Sequence, residues 1–158
     1  MHTLVKLALL LSLFGCSAST ISTSGPFLSK RGKIVLVSFD NFTDTSQAGK
    51  RAANIVEGIL LSKGYSVISL INKNTESLSL AKKVQLAKKY NANYLIFGAV
   101  SEWRYKAGID VEPAVSLSIK AINLKTHKIA WSSTGSNSDK GGTSLGVSAQ
   151  KLINSMID

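Results

Sequence analysis

Asp110 and Glu112 flank a single residue, in a stretch that also carries Glu102, Trp103, Arg104, Tyr105 and Lys106. Paired carboxylates can serve glycoside hydrolysis when a rigid frame holds them at a set separation in opposed environments. A loop holding both is a poor frame for that, which argues against catalysis. Two readings of the segment stand: an exposed hairpin with aromatic packing, or a local acidic patch that attracts a cation or a cationic polymer. Other chemistry is sparse. His127 is the one histidine after His2 and falls in a short turn between two predicted strands, where histidine tolerates unusual backbone angles. Cys16 is the single cysteine, so one chain can build no disulfide, thiolate zinc cluster or cysteine–histidine nucleophile. The loop over 135–144 precedes a predicted helix, and helix amino ends hold anions. Gly142, however, stands where a phosphate-binding loop needs lysine. The residues therefore predict no catalytic group, no metal site, no cofactor and no enzyme. Lys140 and Gly141 leave a different use for this loop, contact with acidic lipid headgroups.

The elements that would position these residues begin after residue 15. One lysine, Lys6, precedes a short apolar run that ends Leu13-Phe14-Gly15-Cys16. The run is too short for a membrane-spanning helix, which needs about 20 residues. A charged start, a brief apolar core and a small residue before the cut describe a signal peptide. The ending resembles the bacterial lipobox, which implies cleavage before Cys16 and lipid on its sulfur. Ser17, where aspartate would favour inner-membrane retention, points to the outer membrane. Residues 1–15 are thus expected to be a lipoprotein signal peptide, 16–31 a lipidated flexible tether rich in Ser and Thr, and 32–158 a single domain. The mature chain keeps 143 residues and a net charge of +9, against +10 for the whole sequence. That length suffices for one core. The basic balance implies an acidic partner surface, and no basic run interleaved with aromatics points to nucleic acid.

Periodicity sets the rest. Residues 33–39 form an apolar, β-branched run that reads as a buried strand. Over 46–63, Ala48, Ala52, Ile55, Val56, Ile59 and Leu60 make one apolar stripe, with Thr45 or Ser46 as the cap and Gly64 as the stop. A strand is expected over 65–71. A second helix is expected over 79–90, with Leu80, Val84 and Ala87 inward and Lys82, Lys83, Lys88 and Lys89 on a solvated face. Strands over 94–105, 113–124 and 127–134 look like an antiparallel meander. A polar loop over 135–142 and a final helix close the chain, with Leu145, Ala149, Leu152, Ile153 and Met156 inward. The order is β-α-β-α-β-β-β-α. The fold class is α+β or an α/β sandwich, a mixed and partly antiparallel sheet with helices packed on it.

The stretch Gly98-Ala99-Val100-Ser101-Glu102-Trp103-Arg104-Tyr105-Lys106 and the following Asp110-Val111-Glu112-Pro113-Ala114-Val115 closely resemble a segment of the PelC family. So do Phe39 to Gly49 and Ile129 to Gly135. The resemblance implies a fold similar to the periplasmic domain of the curli secretion channel. It implies an outer-membrane lipoprotein of the Pel exopolysaccharide export machinery that forms a ring of about a dozen subunits. Such a ring collects a cationic, amino-sugar-rich polysaccharide and guides it into the outer-membrane porin PelB. Carried onto this chain, Asp110 and Glu112 are the expected polymer-facing acids, with Glu102 as a third. Lys140 stands where the family can carry a tryptophan at the membrane interface, and with Gly141 it would meet the inner leaflet of the outer membrane. The runner-up is a monomeric lipoprotein regulator that binds a single periplasmic protein partner.

Overall fold

The computed structural model describes residues 18–108 and 111–158. Among these, the elements follow as β1 (Ala18–Ser24), β2 (Lys33–Leu36), β3 (Asp40–Asn41), α1 (Ala48–Ser62), β4 (Ser66–Ser69), α2 (Leu80–Lys88), β5 (Tyr94–Tyr105), β6 (Pro113–Asn123), β7 (Ile129–Ser138) and α3 (Leu145–Ile157). The strands form one mixed sheet in the order β1-β7-β6-β5-β2-β4, with β3 added to β5. β2 pairs in parallel with β4 and β5, whereas β5, β6, β7 and β1 pair antiparallel. This is the expected mixed sheet with helices on it, and it gains a strand at its edge.

Helices α1 and α3 cover one face. Ile34, Leu36, Ile96, Leu117, Ile119 and Trp131 meet Ala52, Val56, Leu60, Leu152, Ile153 and Met156 in one continuous core. Burying an aliphatic side chain of this kind contributes about 1.5–3 kcal/mol. The opposite face is covered only where α2 lies, with Ala87 over Val35, Val37, Leu95 and Ile122. Helix α2 lies over the parallel strands, which explains why 33–39 is apolar on both faces. Beyond α2 the outer face of β6 and β7 is serine, threonine and lysine, which gives those strands their alternation.

Five expectations are corrected. Residues 18–24, predicted as part of a tether, form β1, paired along its whole length with β7. Its threonines suit a strand, Thr23 Oγ1 lies 2.8 Å from Ser133 Oγ, and Ile21 packs against the main core. The first helix starts later than predicted and has no side-chain cap; Gln47 takes the cap position in the left-handed region. Thr45 is unavailable because its hydroxyl donates to the Trp103 carbonyl at 2.6 Å. Strand β7 runs on to Ser138, into the segment read as a glycine-rich loop, because Gly135 and Asn137 face α3. Lys83, assigned to a solvated face, is 3% exposed and donates to Asp40 Oδ1 at 2.9 Å. Its aliphatic stem lies under α2 while its ammonium reaches a carboxylate at the rim. Leu80, expected inward, is 44% exposed instead.

Two glycines are fixed by geometry. Gly64 has φ +82 and ends α1 as predicted. Gly49 opens α1 directly against the backbone carbonyl of Phe39, where a Cβ would collide with the oxygen. Gly49→Ala should therefore lower stability by about 1–3 kcal/mol, as overpacking of rigid backbone does, with the loss read as a lower urea midpoint at unchanged slope. The Asp40–Lys83 pair makes a second, asymmetric prediction. Asp40→Asn strands a buried ammonium and should cost about 3 kcal/mol. Lys83→Met leaves only a carboxylate that water can reach and should cost clearly less; equal losses in urea melts would refute the asymmetry.

Candidate functional site

The strand directions sort the loops to two ends of the sheet. One end, here called upper, holds the exits of β2, β4, β5 and β7 and the entries of β1 and β6. It carries the connections 37–47, 70–79 and 139–144, and residues 106–108 and 111–112 of the link between β5 and β6. The lower end carries the other turns. Of the eight acids among the described residues, Asp40, Asp44, Glu76, Glu102, Glu112 and Asp139 lie at the upper end. The lower end is basic, with Lys33, Lys63, Lys88, Lys89, Lys125 and Lys128. There Lys88 Nζ meets His127 Nε2 at 2.8 Å, and His127 occupies its turn with φ 59. A chain that is basic overall thus concentrates its carboxylates on one side.

The β5–β6 hairpin dominates the upper end. Alternation along β5 turns Trp103 into the core, 3% exposed, and leaves Arg104 and Tyr105 outside. A register shift between Val100 and Glu102 lets Ser101 bulge toward Ser116, whose carbonyl accepts from the Ser101 hydroxyl at 3.2 Å. The Lys106 amide donates to the Glu112 carbonyl at 2.7 Å and closes the hairpin. Glu102 accepts from Arg104 Nε at 3.0 Å, and Glu112 lies 3.9 Å from Lys106 Nζ, its side chain 47% exposed. Both of these acids therefore stand beside a base. Asp110 and Cys16 lie outside the described residues.

The loop holding Lys140 and Gly141 is joined to this hairpin. The Asp139 amide donates to the Pro113 carbonyl at 3.2 Å, and the Leu145 amide donates to Tyr105 Oη at 3.2 Å. Asp139 is buried, with Asn137 Nδ2 donating to it at 3.1 Å and to Ser148 Oγ at 2.8 Å. Ser144 caps α3 by accepting from the Val147 amide at 3.2 Å. These bonds hold a short exposed tip, Lys140-Gly141-Gly142, against the core. Ala18, the first described residue, pairs with Ser138 at the same end. Glu102, Glu112, Lys140, Gly141 and the start of the described chain are thus brought to one end.

Sequence reasoning missed the loop over 39–47 as a site, although it had marked the segment. Phe42 projects from it and is 73% exposed. Two hollows meet there, of about 580 Å³ and 470 Å³. Among the described residues no group of three His, Cys, Asp or Glu could hold a metal ion, and no helix is long and apolar enough to cross a membrane.

Comparison with known proteins adds the family. No family model matches the chain and no curated protein matches it. Among solved structures, a PelC dodecamer from Paraburkholderia phytofirmans is 32% identical, with a TM-score of 0.77 over 89% of this chain and 95% of that one. A point variant of that dodecamer gives the same identity and TM-score over 89% and 96%. Lipoprotein GNA1162 from Neisseria meningitidis is 16% identical, with a TM-score of 0.59 over 78% and 96%, and shares the fold. With identity of this order spread over nearly its whole domain, the chain belongs to the PelC family.

Proposed function

We propose that this protein is a lipid-anchored, ring-forming subunit that collects a cationic exopolysaccharide, Pel, and guides it toward the outer-membrane porin PelB. The carrying observation is its 32% identity, over 89% of the chain, to a PelC that assembles as a dodecamer. The protein acts by binding and not by catalysis. Lipid on Cys16 would anchor it to the periplasmic side of the outer membrane.

The position of Ala18 supports an orientation. Its partner is Ser138, at the upper end, so an anchor two residues before Ala18 would hold that end close to the lipid. Several acyl chains, each stabilised by about 0.8 kcal/mol per buried methylene, would hold it firmly. Lys140 and Gly141 then lie where a headgroup contact is possible, and a lysine there pairs with anionic lipid. The polymer-facing acids proposed here are Asp110, Glu112 and Glu102. Glu112 and Glu102 carry Lys106 and Arg104 as exposed partners. Exposed pairs of this kind are worth about 1 kcal/mol or less. A polymer bearing many ammonium groups can replace them, gaining by multivalency what each contact lacks.

Replacing Asp110 and Glu112 together, Asp110→Asn with Glu112→Gln, should cut Pel export several-fold at unchanged protein level and unchanged circular dichroism. Unchanged export would remove both acids from the mechanism.

A further inference from the structure

The hollows beside Phe42 share that residue as a lining group and flank it at the upper end, and the pair is here called the groove. Each volume falls within the about 300–1,000 Å³ of small-ligand sites. Four of the eight described acids line the groove: Asp40 and Glu76 on one side of Phe42, Asp44 and Glu102 on the other. Lys83 holds only Oδ1 of Asp40. Lys50 reaches Glu76 at 3.5 Å, Arg104 takes Glu102, and no ion pair among the described residues engages Asp44. Asn41, Gln47 and Ser77 add amide and hydroxyl groups.

An exposed aromatic ring between carboxylates suits a ligand that is apolar on one face and cationic at its edge. A pyranose with an amino group has both: its axial C–H bonds lie on an aromatic face, its ammonium pairs with carboxylate, and its hydroxyls bond amides. We propose that this groove binds a run of hexosamine units, with Phe42 as the stacking platform and Asp44, Glu76 and the free Oδ2 of Asp40 as acceptors for the ammonium groups. The proposal rests on the export reading above and assigns that polymer a seat apart from Asp110 and Glu112.

The loop has the means to hold such a platform still. Asn41 Oδ1 accepts from the Thr43 amide at 3.1 Å and from the Thr43 hydroxyl at 2.8 Å, while Asn41 Nδ2 donates to the Thr45 carbonyl at 2.9 Å. The Phe42 amide donates to the Val100 carbonyl at 2.9 Å, which ties the platform to β5. A ring on a tethered backbone loses little freedom on binding.

The test is calorimetric titration of the full chain, purified in detergent, with a glucosamine hexamer, the N-acetylated hexamer and hexalysine. The glucosamine hexamer should bind, more weakly as salt rises, and at least fivefold more tightly than the other two. Phe42→Ala should weaken binding about fivefold, the equivalent of about 1 kcal/mol for a lost aromatic contact. Asp44→Asn with Glu76→Gln should weaken it about tenfold, and both variants should keep the native circular dichroism and oligomer mass. No binding of the glucosamine hexamer, equal affinity for the acetylated hexamer or for hexalysine, or unchanged affinity in both variants would overturn the proposal. Loss of the oligomer in Phe42→Ala would overturn it by assigning the ring to a contact between subunits. A failed groove with an intact Asp110/Glu112 export defect would leave the export reading standing, whereas loss of that defect would strike the reading itself.

Discussion

Strand β5 is the element on which both halves of the fold depend. On one side it pairs in parallel with β2 and β3, and on the other it pairs antiparallel with β6. Parallel pairing demands crossovers, so the first half of the chain must supply α1 and α2. Antiparallel pairing needs only turns, so the second half runs as a meander. Because both halves share β5, their candidate loops emerge at the same end. The Phe42 loop, the Glu112 hairpin and the Lys140 tip are neighbours for that reason, although they are far apart in sequence.

Most of this frame was legible in the residues. The apolar run at 33–39 marks a buried strand, of which β2 takes 33–36, while the stripe from Ala48 to Leu60 and the alternation over 113–124 each carry a period that α1 and β6 follow. What was not legible lacked a period or a hydrophobic cue. Strand β1 is Ser and Thr around a single Ile21, because it is an edge strand with little to bury, and such a segment is indistinguishable in composition from a linker. The end of β7 looks like a loop because its inward positions, Gly135 and Asn137, are chosen for α3. A side chain at 135 would meet Leu152 and Met156, and Asn137 reaches Ser148 on that helix. Lys83 resembles its solvated neighbours, and only the fold brings Asp40 beside it.

The candidate sites show the same division. Glu102 and Glu112 could be named from their unusual surroundings in sequence. Their pairing with Arg104 and Lys106 depends on the hairpin register, which no local pattern reveals. The groove at Phe42 needed still more, since Glu76 comes from a separate connection and Glu102 from β5. Charge polarity likewise exists only in the folded chain. An excess of base spread over the sequence becomes a basic lower end and an acid-bearing upper end, and a ring built from such subunits would repeat that polarity around its axis.

The proposed function turns on assembly of the chain as a ring. The most direct measurement is the native mass of the protein, both as the lipid-free chain beginning at residue 17 over a concentration series and as the lipidated chain in detergent. A ring-forming chain gives one discrete closed oligomer of about a dozen subunits, at least in the lipidated form. A monomer at every concentration in both forms would contradict it and return the protein to the class of regulators that bind a single periplasmic partner.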